Sequence, residues 1–600
     1  MAVETTVEPP ASDLPQSHRK RLPSWATVCE VAVFLLFTVF FLAYGLTPYF
    51  GGDGLGLVGA DEPRYAQIAH EMLDRVDSAP GIIEKLSACV TPYLYGHPWL
   101  EKPALYYWRA MLFFQEFGVH DWSARLPSTT FAFIMIGLIY LHMRRFRPGG
   151  HLDAALITVA CAGIIGFSRG ASTDMQMAAP LAIGLLGWYA WYETDSKFWL
   201  YDIYFFTGLA TLAKGPVAPF LAIVIIAAFA FLRREWSILR RSFWWPGVAL
   251  YFAMVLPWFI AVQHQNPTFF REFFVEHNLE RFATDRYQHV QPFWYYLVVV
   301  ILAMMPWTVV AVRALVDGIL TSVAEWRLRH STSSKPCANR PGDAFPEFLV
   351  LWALIPIVFF SFSQSKLPGY ILPSIPPLCI LTGDYLFRRR QQGLNRWELF
   401  GHAVLCGIMT MFALLLPWFV AHRAAMPPVN ALAAALLAAV GAALLLLIVV
   451  KGFGVARLRL VTTVVLAVLV LFLYGVGPFF GIPEIGATKR VIHLLDRAYS
   501  ARPVADRLNA MGSANQTVAV FGVRRDIEYG LSFYRNSEVV NYEESGVPDE
   551  QHLLVVRVTG RRGVDLHTPA ALEEYLEGRH YEQLFTLPEQ GLVVYLVGSR

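Results

Sequence analysis

The chain has 600 residues, of which 55% are hydrophobic and 16% are charged, and its mean hydropathy is +0.43. Soluble globular proteins carry about 25% charged residues, so this composition excludes a soluble multidomain enzyme and indicates extensive burial in a bilayer. The net charge of +3 does not suggest a nucleic-acid partner. The six cysteines form no CxxC pair and show no regular spacing, which favours small core residues over a disulfide framework or a metal cluster.

Residues 1–26 are polar and end in the basic cluster Arg19-Lys20-Arg21, which predicts a cytoplasmic N-terminal tail. The apolar run that follows, from Ala26 to Phe50, is longer than the roughly 20 residues that cross a bilayer. A cleaved signal peptide has a shorter apolar region and a small-residue cleavage site. We therefore expect an uncleaved first transmembrane helix.

Apolar runs recur along residues 27–480, and hydropathy predicts a polytopic α-helical membrane protein with about thirteen transmembrane helices. The runs lie near residues 26–50, 129–143, 153–168, 175–192, 199–213, 216–232, 243–263, 293–313, 346–362, 370–387, 400–421, 430–450 and 458–480.

The distribution of basic residues predicts the orientation of these helices. With a cytoplasmic N-terminus, every second loop should be rich in Lys and Arg. Those loops contain Arg144, Arg145 and Arg147; Arg233, Arg234, Arg240 and Arg241; Arg327, Arg329, Lys335 and Arg340; Arg388, Arg389 and Arg390; and Lys451, Arg457 and Arg459. An odd number of spans then places the C-terminus outside.

Residues 484–600 have the mixed, charged composition of a soluble domain. Strand-like runs occur at Thr517–Phe521, Leu553–Val558 and Gly591–Val597, and helical stretches at Arg490–Asn509 and Ala570–Glu577. This pattern predicts a small α/β domain on the non-cytoplasmic side.

The first external loop, residues 51–128, is too long to be a mere connector. Asp61 followed by Glu62 and Pro63 predicts an N-cap and a helix over 62–73, with Asp61, Arg64 and Tyr65 near one face. The simpler alternative is that Asp61 only caps this helix.

Pro103 predicts the start of a second helix in this loop, with Glu101 and Lys102 in the turn before it. A helix N-terminus beside a lysine suits a phosphate group. The alternative is a solvated Glu101–Lys102 ion pair of little energetic value.

Further polar residues recur at the same predicted membrane face. Asp174 marks either a cavity or the cap of the next helix, and Lys214, between two apolar runs, needs an anion or a path to water. His277 is a ligand, a base or a satisfied polar residue. The short loop with Lys366 is an ordinary turn or a segment that closes over a ligand. With Arg281, these acids and bases suit a phosphate-bearing substrate beside carboxylates, without identifying the reaction.

Six segments occur together in an order that resembles a known family: DEPRYAQIAHEML, HPWLEKPALYYW, STDMQMAAPLAIG, LAKGPVAP, EHNLERF and SKLPGYILP. The chain resembles the ArnT-like bacterial lipid A aminoarabinose transferases, which have the GT-C fold and belong to the protein O-mannosyltransferase-like superfamily. The resemblance covers most of residues 27–380, and the C-terminal domain also fits.

The resemblance implies an inverting glycosyltransferase in the bacterial inner membrane. Its donor would be undecaprenyl phosphate carrying 4-amino-4-deoxy-L-arabinose or a related sugar. Its acceptor would be lipid A or another glycolipid or protein at the periplasmic face, with lipopolysaccharide modification and polymyxin resistance as the associated biology. The chain is expected to be a monomer that needs no nucleotide cofactor.

The resemblance also assigns residue roles. Asp61 would be the principal catalytic acidic residue, supported by Asp174, with Glu62 as a further candidate. The predicted donor-phosphate residues are Arg64, Tyr65, Lys102, Lys214, Lys366 and Tyr370. Glu101 and His277 match positions that can bind a divalent metal, zinc, although two ligands make an incomplete site.

The role of Asp61 depends on the acceptor. A hydroxyl acceptor needs a general base, whereas a phosphate acceptor is already ionised, and Asp61 would then orient it or stabilise an oxocarbenium-like sugar.

Other functions remain open. One is polyprenyl-phosphate-dependent transfer of a mannosyl or uronosyl group to protein or another glycolipid. Another is a lipid or polyprenyl-phosphate transporter, which should show paired halves and ionisable residues near mid-membrane; the sequence shows no clear repeat, and its charges cluster at one rim. A binding or assembly protein leaves the acid-rich first loop unexplained.

Overall fold

The computed structural model describes residues 25–50, 54–280, 291–331, 343–422, 429–454, 457–474, 489–513, 516–558, 569–576 and 578–600. The predicted cytoplasmic tail, Cys337 and the predicted anion-binding Arg281 lie outside the described residues.

The first half of the chain is helical apart from one short hairpin. It contains α1 (Trp25–Ala43), α2 (Asp61–Ser78), α3 (Ile82–Ala88), β1 (Tyr93–Leu94), β2 (His97–Pro98), α4 (Leu105–Phe117), α5 (Asp121–Phe146), α6 (His151–Val159), α7 (Ala162–Ser168), α8 (Thr173–Thr194), a 3-10 turn (Lys197–Trp199), α9 (Leu200–Lys214), α10 (Val217–Arg233), α11 (Ser237–Ser242) and α12 (Trp245–Gln265).

A π-helix (Arg271–Glu280) follows, and further helices complete the membrane part. They are α13 (Tyr295–Ala303), α14 (Thr308–Ser331), α15 (Phe345–Ser361), a 3-10 segment (Pro368–Ser374), α16 (Ile375–Arg388), α17 (Arg396–His422), α18 (Val429–Phe453) and α19 (Leu458–Tyr474).

Each of the predicted apolar runs contains at least one of these helices, and the fold is that of a polytopic membrane protein. Among the described helices, five are long and apolar enough to cross a membrane, or up to seven if two bent pairs each count as one span. Three shorter apolar helices, α10, α15 and part of α19, also occur. The number of about thirteen crossings stays a prediction.

Two runs predicted as single helices are broken. α6 and α7 meet at 59°, and α13 and α14 meet at 115° around Pro306, which has no N–H to continue a helix. The two breaks contact each other: the Cys161 thiol donates to the Ala303 carbonyl at 2.7 Å, and the Ala162 N–H donates to the Met305 carbonyl at 3.0 Å. Backbone groups freed at one break are therefore satisfied by the other, as burial away from water requires.

Close packing of α8 against α9 places two predicted site residues at one end of the bundle. A Cβ on Gly187 would lie 2.3 Å from the Cβ of Asp202, so only glycine permits this approach. The two helices are sequential and antiparallel, because only a short connection joins them. Asp174, in the first turn of α8, therefore meets Lys214, the last residue of α9.

The first external loop contains both predicted helices, but α2 is longer than predicted and starts differently. Ala60 occupies the cap position without a side-chain bond, and Asp61 is the first helical residue. The prediction that Asp61 is the N-cap is therefore wrong. The Asp61 carboxylate is bound by Arg64, and the Glu62 carboxylate accepts the Val58 N–H at 2.9 Å instead.

The C-terminal domain is an α/β domain with a five-stranded mixed sheet in the order β4-β3-β5-β7-β6. β3 pairs in parallel with β4 and β5, while β7 runs antiparallel to β5 and β6. The elements are α20 (Lys489–Tyr499), α21 (Arg502–Ala510), β3 (Val518–Phe521), α22 (Arg525–Arg535), β4 (Val539–Asn541), α23 (Tyr542–Ser545), β5 (His552–Arg557), α24 (Pro569–Leu576), β6 (Tyr581–Leu587) and β7 (Leu592–Val597). The sequence pattern did not predict β4, β6 or α22.

Arg502 fastens this domain to the first external loop. Its guanidinium donates to the Asp121 carboxylate and to the Gly54 carbonyl, each at 2.8 Å, and lies 2.8 Å from Asp496 of its own domain. Asp496 in turn accepts the Gly56 N–H at 2.9 Å. Three groups, two of them far from Arg502 in sequence, thus converge on one arginine, which fixes the domain over the loop.

Candidate functional site

A cavity of about 440 Å³ lies where the first external loop meets the ends of α8, α9, α10 and α15. Nine of the eleven predicted site residues line it: Asp61, Arg64, Tyr65, Glu101, Lys102, Asp174, Lys214, His277 and Tyr370. These residues come from six separate stretches of the chain. Their convergence is a finding about position, and the roles assigned to them stay predictions.

Arg64 is the centre of the charge cluster contributed by the first loop. Its Nη2 lies 2.5 Å from the Asp61 carboxylate, one turn earlier on α2, and 3.9 Å from the Glu101 carboxylate. Burial opposes the charge on Arg64, but Tyr65 and the two carboxylates outweigh it and raise the pKa of the guanidinium above its usual value. Arg64 is therefore a permanent cation at the cavity wall.

Asp61 differs from Arg64 in its access to solvent. Its side chain is 54% exposed, whereas that of Arg64 is 11% exposed. One oxygen of the carboxylate binds Arg64, and the side chain faces the cavity. The arrangement combines a fixed cation with an accessible carboxylate.

A second charge pair comes from the membrane helices. The Lys214 ammonium forms an ion pair with the Asp174 carboxylate and lies 4.9 Å from the centre of the Tyr370 ring. Both charged side chains are mostly buried. Because an isolated charge is costly at the rim of an apolar helix, each stabilises the other there.

Glu101, Lys102 and His277 form the third side of the cavity. The Lys102 ammonium donates to the Glu101 carbonyl at 3.2 Å, and His277 Nδ1 lies 3.8 Å from a Glu101 carboxylate oxygen. The predicted metal pair is thus adjacent. Among the described residues, however, no third His, Cys, Asp or Glu joins them. Zinc sites use three or four protein ligands, so this donor set does not fit a zinc ion.

Three helices begin at the cavity. Asp61 is in the first turn of α2, Asp174 is in the first turn of α8, and Pro216 and Val217 open α10. The N-terminal ends of helices carry partial positive charge and unpaired N–H groups, so together they favour an anion. The positive ends of these helices therefore add to the cations from side chains.

The rest of the cavity wall is mostly apolar. Its apolar residues include Met177, Val217, Phe220, Phe273, Phe359, Phe360 and Leu367. The sequence analysis missed these residues because they lie in or beside apolar runs where many phenylalanines look alike. A charged rim above an apolar wall suits an amphiphile with a polar head and a hydrocarbon chain.

Glu62, a predicted catalytic residue, does not line this cavity, and its catalytic role stays a prediction. Its carboxylate lies 2.7 Å from the Arg125 guanidinium and accepts the N–H groups of Val58 and Ala171, each at 2.9 Å. Those partners hold the start of α2 against α5 and the turn before α8. Glu62 therefore orients the helix that carries Asp61.

Lys366, a predicted phosphate ligand, also lies outside the cavity lining, and its role stays a prediction. Its ammonium donates to the Ser363 carbonyl at 2.5 Å, and the residue is 7% exposed. The lysine thus closes the turn between α15 and the 3-10 segment, and Leu367 and Tyr370 of the same loop reach the cavity instead.

Two aromatic side chains flank Arg64, and the sequence analysis gave neither a role. The guanidinium carbon lies 4.9 Å from the centre of the Trp99 ring and 5.8 Å from that of Tyr529. Trp99 belongs to the HPWLEKP segment. The clustering of aromatic and charged residues in that segment could have indicated that Trp99 lies near the site. Tyr529 belongs to α22, and nothing in its local sequence indicates a contact with residue 64.

A family model for dolichyl-phosphate-mannose-protein mannosyltransferases matches residues 101–260 of the chain. That stretch includes Lys102, Asp174 and Lys214 of the cavity.

Curated relatives are undecaprenyl phosphate-alpha-4-amino-4-deoxy-L-arabinose arabinosyl transferases. The chain is 30% identical over 363 residues to that of Pseudomonas paraeruginosa, which covers 58% of this chain and 59% of the relative. It is 27% identical over 455 residues to one from Pseudomonas fluorescens, covering 70% and 71%. The aligned part thus spans about three fifths of the length of the first of these relatives.

Solved structures show the same fold. The crystal structure of ArnT from Cupriavidus metallidurans bound to undecaprenyl phosphate matches with a TM-score of 0.68 at 21% identity, covering 95% of this chain and 98% of that one. Its apo form matches with a TM-score of 0.66. The predicted resemblance is confirmed: the chain is similar in sequence to the ArnT-like transferases over part of its length, and it has the fold of the solved ArnT structures.

Proposed function

We propose that this chain is an inverting glycosyltransferase that moves a sugar from undecaprenyl phosphate to lipid A or another acceptor at the periplasmic face. The sugar is 4-amino-4-deoxy-L-arabinose or a relative of it. The observation that carries the proposal is the single cavity in which Asp61 and Asp174 lie beside Arg64, Lys214 and Lys102. The activity for which the relatives are named supports the choice of donor and sugar.

The cations and helix N-termini account for the donor. The leaving group is a lipid phosphate that gains negative charge as the glycosidic bond breaks, and fixed positive charges stabilise it most at that point. The side chains of Arg64, Lys102 and Lys214 line the cavity, so three cations surround a phosphate placed there. The apolar wall with Phe220 and Phe360 would take the first isoprene units.

In the transfer itself, an acceptor oxygen forms a bond to C1 of the sugar as the bond from C1 to the phosphate oxygen breaks. Undecaprenyl phosphate departs with the bonding electron pair. For a hydroxyl acceptor, Asp61 takes the proton; for a phosphate acceptor, it orients the nucleophile or stabilises positive charge on the sugar. The exposure of its carboxylate at the cavity suits either role.

The buried tyrosines around Arg64 add a further constraint on the chemistry. Burial raises the pKa of Tyr65 well above its ordinary value, and the same holds for Tyr107. Both phenols therefore stay neutral near pH 7 and can donate hydrogen bonds but cannot act as bases. Among the first-loop residues that line the cavity, Asp61 and Glu101 are the groups able to accept a proton.

We propose a bacterial inner-membrane location with the cavity and C-terminal domain facing the periplasm, and a monomeric state. The basic clusters lie at the opposite ends of the helices: Arg144, Arg145 and Arg147 end α5, Arg233 ends α10, and Arg388 ends α16. Reporter fusions after residues 150 and 490 test this orientation. Scattering measurements in nanodiscs test the monomer.

The central experiment incubates purified protein in nanodiscs with undecaprenyl phosphate carrying radiolabelled 4-amino-4-deoxy-L-arabinose and with lipid A. We expect label in lipid A, and loss of transfer by roughly 100-fold or more in Asp61→Asn. Asp74→Asn is the matched control, because Asp74 is an exposed aspartate of the same helix outside the cavity lining. Transfer that survives in Asp61→Asn would contradict the assignment.

Two alternatives are separate arms of this assay. Mannosyl or uronosyl donors with protein or other glycolipid acceptors test the broader transferase, which the family model at residues 101–260 supports. Movement of labelled undecaprenyl phosphate across the bilayer without transfer would indicate a transporter instead.

A further inference from the structure

The C-terminal domain contributes a residue to the surroundings of the cavity. Tyr529 lies on α22, and its ring centre is 5.8 Å from the guanidinium carbon of Arg64. The residue is 9% exposed, so the contact is shielded from water. Cation–π contacts gain strength when desolvated, which makes this contact more than incidental packing.

The Arg64 guanidinium contacts two aromatic rings that belong to different parts of the chain. Trp99 follows the β1–β2 hairpin of the first loop, and its ring centre lies 4.9 Å from the guanidinium carbon. Tyr529 approaches from the C-terminal domain and also packs on Tyr95 of that hairpin, with ring centres 6.4 Å apart. The carboxylates of Asp61 and Glu101 fix the direction of the guanidinium, and the rings restrict its plane.

An arginine side chain has large rotational freedom, which it loses when it binds a phosphate in one geometry. Contacts that fix the side chain beforehand remove part of that cost from binding. The domain that carries Tyr529 is itself fastened by Arg502 to the loop that carries Arg64. The ring is therefore presented from a rigid support.

We propose that Tyr529 is a positioning residue for Arg64, through which the C-terminal domain sets the affinity of the cavity for the donor phosphate. This inference rests on the proposed function of the cavity. It makes the domain part of the transferase site instead of an appended module. Tyr529 acts through Arg64 and is not itself assigned a contact with the substrate.

The test compares three variants in the transfer assay. Tyr529→Ala removes the ring and should raise the KM for the donor roughly tenfold, with a smaller change in kcat. Tyr529→Phe keeps the ring but loses the hydroxyl, which also interacts with Arg64, and should raise the KM less than Tyr529→Ala does. Phe533→Ala is the matched control, because Phe533 lies one turn further on α22 and packs on α2 through His70, with ring centres 6.4 Å apart. A merely destabilising change lowers the active fraction, and so the apparent kcat, without raising the KM.

A double-mutant cycle shows whether the effect passes through Arg64. In an Arg64→Ala background, Tyr529→Ala should cause no further rise in KM. Equal effects of Tyr529→Ala with and without Arg64, or an equal rise in KM from Phe533→Ala, would overturn the proposal.

Binding of undecaprenyl phosphate to the same variants is measured without any acceptor. If the wild-type protein binds the lipid but transfers no sugar, the proposed function fails while the role of Tyr529 is still decided by the binding series. If Tyr529→Ala binds undecaprenyl phosphate as tightly as the wild type does, the positioning role is wrong even where transfer is observed.

Discussion

The two ends of the helical bundle contain the same kinds of charged pair in different surroundings. At the end away from the cavity, Asp153 is held 2.5 Å from Arg390 and also pairs with Arg459, and its side chain is 3% exposed. At the cavity, Asp61 pairs with Arg64 at the same distance, but its side chain is 54% exposed. In an enclosed pair the two charges neutralise each other, whereas a pair beside a cavity can also interact with a ligand.

The type of a charged residue therefore does not determine its role, which depends on whether its ion pair is enclosed or lies beside a cavity. Arg233 and Glu347, 3.2 Å apart and almost fully buried, join α10 to α15. Lys214 and Asp174 join α9 to α8 in a similar manner but face a cavity of about 440 Å³. We expect the first kind of pair to govern stability and the second to govern transfer.

Among the variants that compare the two ends of the bundle, Lys214→Ala should have the largest effect on transfer. It removes a cation from the cavity and leaves Asp174 unpaired, so kcat/KM for the donor should fall by roughly 100-fold. Arg241→Ala breaks an exposed pair with Asp195 outside the cavity and should leave kcat/KM near wild type. Equal losses in the two variants would remove the distinction between the ends.

Replacement of Asp153 by Asn should have the largest effect on stability. It leaves Arg390 and Arg459 without their buried carboxylate, and breaking a buried pair costs about 3–5 kcal/mol. Thermal unfolding in nanodiscs should shift to a clearly lower temperature, while the donor KM of the folded fraction is unchanged. A raised donor KM with normal stability would argue against a structural role.

Glu62→Gln should show an intermediate loss of stability with little effect on chemistry. The neutral amide weakens the bonds to Arg125 and to the N–H groups of Val58 and Ala171, at a cost of about 1–3 kcal/mol. The thermal midpoint should fall, and kcat should change far less than in Asp61→Asn. If kcat falls as far as it does in Asp61→Asn, Glu62 has a catalytic role and is not only structural.

Removal of divalent metal should have the smallest effect. Glu101 and His277 are adjacent, but a third ligand is missing among the described residues. Transfer should therefore be unchanged after treatment with EDTA and gel filtration. Loss of transfer on chelation, restored by zinc, would show that these two residues hold a metal with a ligand from elsewhere.

The sequence predicted the parts of the site whose signal is local. A charge at the rim of an apolar run is rare enough to be informative, and this identified Asp174 and Lys214. The pattern around Asp61 predicted a helix, although not its first residue, because the Asp61 carboxylate is bound by Arg64 instead of by a backbone N–H group. The bends at Cys161 and Pro306 were missed because hydropathy reports burial and not helix direction.

The part that could not be predicted depends on contacts between distant segments. The sequence around Lys366 suggests a ligand-binding loop. Only the folded structure shows that the Lys366 ammonium donates a hydrogen bond to the Ser363 carbonyl. Tyr529 is separated from Arg64 by more than 400 residues, and one tyrosine in an amphipathic helix carries no signal of its partner. The docking of the C-terminal domain creates that contact.

The most direct test of the cavity as the donor site is photo-crosslinking with an undecaprenyl phosphate analogue that carries a reactive group beside the phosphate. We predict adducts in the segments 214–220 and 359–370, which line the cavity, and their loss in Lys214→Ala. Adducts confined to the end with Asp153 and Glu347, or labelling unaffected by Lys214→Ala, would contradict the account.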